Sequence, residues 1–365
     1  MKLELPLWYD LHSHFRQDEF LEPLIKDHIA MGCAGILAMP NTKPPVAKVE
    51  NDGDSEFWSI EEYLEMLNAA GASAFREVIV PLYLTPQTTA EMIEEGAKSG
   101  LLRAAKYYPP HGTTGAQSGA PFETFMENGV FAAMEEAGIV LCIHGEEHEL
   151  APEDYFDRKH NAEELFYKNH MPRLIERFPN LKIVGEHLTT KVGVDFILSA
   201  GENVTASITP QHLLYTIGHL LQGLKYHLYC LPLLKFEEDR ASLRSAVTAT
   251  NNRKFFAGTD SAPHTIKATP CGCAAGCYTG GIAPQLYAQA FEEAGVDLSS
   301  VSGAEAFTRF LCRNGAAFYG LDIPQETFTL EKMPQDIAPT IIDGAQVIPL
   351  PLGMNGTTTI PWRII

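Results

Sequence analysis

The chain has 365 residues, of which 45% are hydrophobic and 20% charged, and this composition excludes a disordered or fibrous protein. Its 46 acidic and 27 basic residues give a formal net charge of −19, which argues against nucleic acid and anionic membranes as partners. No apolar run reaches the roughly 18 residues of a membrane span, and neither a leader-like N-terminus nor an even cysteine count is present, so we expect a cytoplasmic protein with reduced thiols.

Eight short apolar segments with the length of strands recur along the chain, and amphipathic stretches with helical periodicity separate most of them. Pro, Gly and Asn mark the joins between these segments. The predicted helices include residues 19–31, 60–70, 88–99, 122–137, 162–178, 241–250 and 304–310. The predicted strands are residues 8–12, 35–39, 78–84, 103–107, 139–144, 182–186, 204–208 and 255–258.

This alternation of strand and helix predicts a (β/α)₈ TIM barrel. An open, doubly wound sheet is the main alternative, but the Gly-x-Gly-x-x-Gly motif of such folds does not follow the first strand. We predict that residues 1–320 form the barrel and that residues 321–365, which include a Pro-rich tail, form a C-terminal extension packed on it.

Five side chains suited to metal binding stand at the predicted C-terminal ends of strands, where the active sites of such barrels lie. His12 and His14 end the first strand and face the same way, because alternate residues share a strand face. His144 ends the fifth strand, His187 follows the sixth and Asp260 follows the eighth. A single histidine in such a place is usually a hydrogen-bonded structural residue, but five imidazole and carboxylate groups at one face predict a zinc site.

Residues 10–16, Asp-Leu-His-Ser-His-Phe-Arg, resemble the first-strand His-x-His-x-Arg motif of the metal-dependent amidohydrolase superfamily. Further blocks, in the same order along the chain, resemble the single-domain, homodimeric class of dihydroorotases. These blocks are residues 39–45, 104–109, 143–146, 186–191, 208–213, 227–232, 258–264 and 271–274.

The resemblance implies reversible cyclisation of N-carbamoyl-L-aspartate to L-dihydroorotate in pyrimidine synthesis, with two zinc ions bridged by a carboxylated lysine at position 106. The implied nucleophile is a hydroxide between the ions, since two cations lower the pKa of bound water. Asp260 would be the general acid and base. The ligands implied are His12, His14, Lys106 and Asp260 for one ion and Lys106, His144 and His187 for the other.

The resemblance also implies a set of substrate contacts and a homodimer. A guanidinium binds a carboxylate through two parallel hydrogen bonds, which suits Arg16 to the acid group of the substrate. The other implied contacts are Asn41 and His264 to the same carboxylate, the backbones of Leu231 and Ala274 to the pyrimidine ring, and Thr113 and Thr114 from a mobile loop.

Three features depart from the family pattern or fall outside it. Gln17 stands where the family usually has an aspartate. The acidic segment 50–60 matches no family motif, and it lacks the spacing of an EF-hand calcium loop. Cys271, Cys273 and Cys277 lie close enough for a structural zinc site, but no fourth ligand is evident, so we favour a tight Gly-rich loop.

Two alternative functions are compatible with parts of this pattern. A hydantoinase or dihydropyrimidinase would share the metals but would not need Arg16, Asn41 and His264 to bind a carboxylate. An inactive barrel acting as a scaffold would typically have lost some of the metal ligands, whereas every expected ligand is present in this chain.

Overall fold

A parallel barrel forms the centre of the computed structural model, which describes residues 1–53 and 56–365. The acidic segment 50–60 of the sequence predictions includes residues 54 and 55, which lie outside the described part. Strands β1 to β8 are Trp8–Ser13, Cys33–Ala38, Glu77–Ile79 continuing as Leu82–Tyr83, Ala104–Tyr107, Val140–Ile143, Ile183–Gly185, Val204–Ile208 and Phe255–Ala257.

All eight predicted strands are confirmed, with ends that differ by two residues at most. Parallel pairing runs from β1 to the first part of β3 and from its second part to β8. A parallel bridge between Ser13 and Ser261 joins β1 to the segment after β8. The strand residues are buried almost throughout, because helices cover the outside of the barrel while side chains fill the inside.

The predicted helices are present, but two of them are divided. Residues 122–137 break at Gly129, whose φ of 87° is a left-handed conformation that glycine adopts without strain. Residues 162–178 break before Pro172, because proline lacks the N–H that would continue the helix. Helices span Leu21–Ala30, Ile60–Ala69, Ala90–Ser99, Phe122–Glu127, Val130–Ala137, Pro152–Tyr155, Ala162–Asn169, Met171–Arg177, Lys191–Ser199, Pro210–Leu214, Ile217–Leu221, Glu237–Thr248, Ala283–Glu293, Val301–Thr308 and Asn314–Tyr319.

A small sheet joins the two ends of the chain. Its central strand, Thr327–Glu331, pairs antiparallel with Lys2–Pro6 on one side and with Arg363–Ile364 on the other. The N-terminal strand therefore packs with the predicted C-terminal extension, while the division at residue 320 stays a prediction. Shorter strands pair Val46–Lys48 with Trp58–Ser59, Ala268–Thr269 with Gly272–Cys273, Gln335–Asp336 with Thr359–Ile360, and Thr340–Ile342 with Ala345–Val347.

An apolar layer inside the barrel supports the predicted site. Ala104, Cys142 and Val184 belong to one buried cluster, and each lies two residues before a polar side chain at a strand end. Because alternate strand residues share a face, this layer sits directly beneath the polar one. All seven cysteines are free thiols. Within the described ranges, no helix has the length and apolar character needed to cross a bilayer.

Candidate metal and substrate site

The first half of the predicted metal site is three buried side chains that face one another. One ligand atom from each of His12, His14 and Asp260 lies within 4.8 Å of the others. Asp260 Oδ1 is 3.0 Å from His14 Nε2 and 3.4 Å from His12 Nε2. Burial alone would raise the pKa of Asp260, but its close contacts with the two imidazoles hold it well below its usual value. The aspartate is therefore a carboxylate at neutral pH.

The outer nitrogens of both imidazoles are held by oxygen acceptors. His12 Nδ1 lies 2.6 Å from Glu186 Oε2, and His14 Nδ1 lies 2.7 Å from Asn41 Oδ1. Acceptors at both Nδ1 atoms favour the tautomer that carries its proton there, which would free Nε2 to bind a metal ion, as in metal-binding histidines. Burial lowers the pKa of His14 to about 4, so its ring is neutral at pH 7. His14 Nε2 and Asp260 Oδ1 face each other, and an imidazole nitrogen and a carboxylate oxygen placed in this way can bind a cation between them.

The second half contains His144, His187 and Lys106. The ring centroid of His187 lies 4.7 Å from that of His144 and 4.9 Å from that of His12, so the two halves adjoin. His144 Nε2 is 2.7 Å from Glu146 Oε2, which leaves Nδ1 for another contact. Lys106 Nζ and His187 Nδ1 are both buried without a hydrogen-bond partner among the described residues. Burial lowers the pKa of Lys106.

Three site residues have the left-handed backbone that favours glycine. The φ values are 59° at Arg16, 40° at His187 and 48° at Asp260. Hydrogen bonds hold two of these positions: His187 N–H donates to Ser207 Oγ at 2.9 Å, and Asp260 N–H donates to the His12 carbonyl at 2.8 Å. Such strain persists only where surrounding contacts over-determine it, and it is typical of functional sites.

Two buried carboxylates that the sequence did not single out support the ligand segments. Asp10 accepts hydrogen bonds from both N–H and Oγ1 of Thr259, at 3.0 Å and 2.6 Å, and so fixes the residue before Asp260. Glu163 accepts from the N–H and hydroxyl groups of Thr189 and Thr190, at 2.6 to 3.1 Å. Local periodicity gives no signal for these contacts, because the partners are far apart in sequence.

A cavity of about 20 Å³ lies beside the metal residues. This volume holds about one water molecule, so the surrounding loops pack closely over the site. Asn41 Nδ2 donates to the Thr114 carbonyl at 2.9 Å, and Thr114 Oγ1 donates to the Ala275 carbonyl at 3.3 Å. The predicted substrate and loop residues brought to this cavity are Arg16, Asn41, Thr113, Thr114 and Leu231.

The predicted carboxylate contacts Arg16 and His264 adjoin at the edge of the cavity. Arg16 Nη2 is 3.4 Å from His264 Nε2. His264 Nε2 also lies 2.8 Å from the Ala275 carbonyl. Burial, with help from the Arg16 charge, lowers the pKa of His264 to about 3, so its ring is neutral at pH 7. Arg16 is then the one cation of this pair.

Of two adjacent alanines, the structure brings Ala275 and not Ala274 to the cavity wall. The N–H of Ala274 donates to the Lys267 carbonyl at 2.8 Å, and its own carbonyl accepts from Lys267 Nζ at 2.6 Å, so both of its peptide groups are engaged elsewhere. The sequence prediction is Ala274, and the doubled alanine in Cys-Gly-Cys-Ala-Ala-Gly-Cys gives no local signal for which of the two peptides faces the cavity.

The Cys-rich turn and Gln17 have structural contacts. Cys271 is exposed, Cys273 is half-buried in a two-stranded hairpin, and Cys277 is buried, so the three thiols do not share one environment. The Gln17 side chain bonds both backbone groups of Lys43, at 2.8 Å and 2.9 Å.

Curated proteins and solved structures match this chain over nearly its whole length. No family model matches it. It is 40% identical to a dihydroorotase of Shewanella amazonensis over 97% of this chain and 96% of that protein. It is 39% identical to a dihydroorotase of Halorhodospira halophila over 99% of this chain and 98% of that protein.

Solved structures with the same fold include two dihydroorotases. The Saccharomyces cerevisiae enzyme in complex with 5-fluoroorotic acid has a TM-score of 0.84 at 26% identity, covering 100% of this chain and 98% of that one. The Campylobacter jejuni enzyme has a TM-score of 0.80 at 26% identity, covering 100% and 97%. The dihydropyrimidinase of Brevibacillus agri, with a TM-score of 0.71 at 13% identity over 99% and 82%, shares the barrel fold.

Proposed function

The chain belongs to the dihydroorotase family, and from this premise we propose that two zinc ions and a carboxylated Lys106 serve its reaction. The activity is that of a cyclic amidohydrolase, which interconverts N-carbamoyl-L-aspartate and L-dihydroorotate in pyrimidine synthesis. The observation that supports the metal proposal is the buried group of His12, His14 and Asp260, whose ligand atoms lie within 4.8 Å of one another, with His14 Nε2 3.0 Å from Asp260 Oδ1.

The first ion would be held by His12, His14 and Asp260. Two imidazoles and a carboxylate are a donor set that zinc takes in catalytic sites. The outer contacts to Glu186 and Asn41 orient the rings and fix the proton on the far nitrogen, which supports this assignment.

The second ion would be held by His144 and His187, with Lys106 joining both ions. A free ammonium repels a cation, whereas a lysine carbamate is an anion with two oxygen donors. Lys106 is fully buried, its Nζ has no hydrogen-bond partner among the described residues, and burial lowers its pKa. These features favour the neutral amine, which is the form that reacts with CO₂.

When bound, the two ions supply Lewis-acid polarisation of the ring carbonyl and lower the pKa of water. Asp260 would carry a proton between the attacking water and the ring nitrogen. Its carboxylate accepts a proton as water adds to the carbonyl carbon and donates it to the ring nitrogen as the C–N bond breaks. In the direction of cyclisation, the same carboxylate takes a proton from the ureido nitrogen and returns it to the leaving water. The low pKa of Asp260 keeps it in the carboxylate form at neutral pH.

The carboxylate of the substrate would bind to Arg16, Asn41 and His264. Arg16 supplies charge and paired donors, while the other two side chains supply directed hydrogen bonds. The backbones of Leu231 and Ala275 would contact the ring. The small cavity means that Thr113 and Thr114 must move aside for substrate and then close over it, which excludes water during the reaction.

One experiment separates this function from the related hydantoinase and dihydropyrimidinase activities. We expect the purified protein to hydrolyse dihydroorotate but not dihydrouracil, which lacks the carboxylate, as followed by ultraviolet absorbance. Arg16→Met should raise KM for dihydroorotate by the equivalent of about 2–4 kcal/mol with its metal content unchanged. Hydrolysis of dihydrouracil at a similar rate, or full activity of metal-free protein, would contradict the proposal.

Location and assembly form the last part of the proposal. We expect the protein to be cytoplasmic, since its free thiols suit a reducing compartment. We also expect a homodimer, as the resemblance to the homodimeric class of dihydroorotases implies. Light scattering on the purified protein measures the assembly directly. A monomer with full activity would refute the dimer as a functional unit.

A further inference from the structure

One lysine outside the cavity joins the two loops that form one wall of it. Lys267 Nζ donates to the carbonyls of Tyr229 at 2.7 Å, Ala274 at 2.6 Å and Gly276 at 2.5 Å. An ammonium group has three N–H donors, and here each has a backbone acceptor. Lys267 does not itself line the cavity, so it does not touch the substrate.

The three carbonyls flank the backbone groups proposed to contact the ring. Tyr229 lies two residues before Leu231, while Ala274 and Gly276 stand on either side of Ala275. Gly276 N–H also donates to the Tyr229 carbonyl at 3.0 Å, so the loops meet at this point. The spacing between the Leu231 and Ala275 backbones is therefore set by contacts that converge on one ammonium group.

The same wall holds the carboxylate contacts. The Ala275 carbonyl accepts from Thr114 Oγ1 and lies 2.8 Å from His264 Nε2, which in turn is 3.4 Å from Arg16 Nη2. A shift of Ala275 would therefore move the one carbonyl group that contacts both Thr114 and His264.

We propose that Lys267 is a positioning residue for substrate binding, acting through the backbones of Leu231 and Ala275. This inference rests on the dihydroorotase function proposed above. Because the wall contacts the ring in the ground state and in the transition state alike, loss of Lys267 raises KM more than it lowers kcat. Because the reaction equilibrium fixes the ratio of kcat/KM in the two directions, kcat/KM falls by the same factor in both.

A second lysine provides a matched control. Lys254 Nζ also donates to three carbonyls, those of Ile197 at 2.9 Å, Ala200 at 2.6 Å and Gly201 at 2.9 Å. These carbonyls lie at the C-terminal end of the helix Lys191–Ser199, and Lys254 directly precedes β8, so this lysine is at the face of the barrel opposite the site. Lys254→Met removes a similar set of hydrogen bonds without touching the cavity wall.

The test compares K267M, K267R and K254M with the wild type by steady-state kinetics in both directions. In K267M we expect KM for dihydroorotate to rise about tenfold, with kcat within about threefold and zinc content unchanged. K267R keeps cationic donors and should raise KM less. K254M should leave KM at the wild-type value even where it lowers the melting temperature. If K267M does not fold, K267Q carries the same comparison.

Hydrogen exchange supplies a readout that does not need turnover. Peptides covering residues 271–277 should exchange about ten times faster in K267M than in the wild type, and at the wild-type rate in K254M. Unchanged exchange, an unchanged KM in K267M, or an equal rise of KM in K254M would overturn the positioning role. A wild-type protein that does not turn over dihydroorotate would instead overturn the function itself, and this role with it.

Discussion

The two halves of the candidate metal site differ in how many of their proposed ligand atoms already have partners. In the half formed by His12, His14 and Asp260, direct contacts of 3.0 and 3.4 Å join the side chains. In the half that contains Lys106 and His187, each of these has a buried nitrogen without a hydrogen-bond partner among the described residues. The side chains of the first half thus already contact one another, while the second half holds buried nitrogens that no side chain contacts by a hydrogen bond among the described residues.

The supports of the two halves are similar in kind. Buried carboxylates stand behind both: Glu186 and Asp10 behind the first, Glu146 and Glu163 behind the second. Buried charges of this kind are stable only when hydrogen bonds satisfy them, as each of these carboxylates is through at least one oxygen. The two halves therefore differ in their proposed ligand atoms and not in the carboxylates behind them, and substitutions can test this difference.

Lys106→Ala should have the largest effect, because it removes the group proposed to join both ions. We expect turnover to fall about 10⁴-fold, and bound zinc to fall from two ions per chain toward one, retained by His12, His14 and Asp260. Elemental analysis after gel filtration measures the zinc. Lys106→Arg is the matched variant, since arginine has a side chain of similar length but does not form a carbamate. Two tightly bound ions in K106A would remove the proposed difference between the halves.

Asp260→Ala should come next, since it removes both the proton carrier and a proposed ligand of the first ion while leaving the substrate contacts. We expect kcat to fall about 10³-fold and KM to change by much less. Asp239→Asn is a suitable control, because that buried aspartate caps the helix Glu237–Thr248 and accepts from Lys191 N–H. Near-normal turnover of D260A would disprove the acid–base role.

Glu163→Gln tests the support of the second half alone. The amide of Gln brings N–H donors against the N–H groups of Thr189 and Thr190, so the segment after His187 loses its acceptor. We expect zinc affinity of the second half to fall about tenfold, as measured by competition with a chelator. Glu164→Gln changes the next residue, whose partner is Lys168, and should have no such effect. Equal loss in both variants would show a general helix effect.

The last prediction concerns the pH dependence of stability and not the catalytic activity. The pKa of His264 is about 3 in the folded chain and 6.5 as its ordinary value, so the unfolded state binds more protons between these limits. The free energy of unfolding therefore decreases as pH falls from 6.5 toward 3. His264→Gln should make this decrease shallower by about 1–3 kcal/mol. Urea unfolding at several pH values measures it, and parallel curves for both proteins would contradict the buried, neutral ring.

The sequence allowed the barrel and the inner ligands to be predicted because both leave local marks. Alternating apolar segments mark the strands, and a histidine or aspartate at a strand end, such as His144 or Asp260, marks the face on which the site lies. The outer supports leave no such mark. Glu163 and Lys267 act through partners elsewhere in the chain or through carbonyl groups, and carbonyl groups are the same in every residue.

The choice between Ala274 and Ala275 shows the same limit at the scale of one residue. Both alanines present identical side chains, and only the path of the backbone decides which peptide faces the cavity. The next residue, Gly276, has a φ of 143°, and a Cβ atom there would lie 2.7 Å from Ala262 Cβ. Glycine permits that path, but a doubled alanine does not reveal which of its members the path will expose.

The small sheet at the chain ends has a consequence for protein engineering. Lys2 and Arg363 both pair with Glu331, from the two sides of one strand, so these residues near the chain ends are separated by about two interstrand spacings, or about 10 Å. A linker of a few glycines would close the polypeptide into a circle, and new ends could be opened at an exposed outer loop. We expect the barrel to fold from such new chain ends as long as the sheet that joins the original ends is kept.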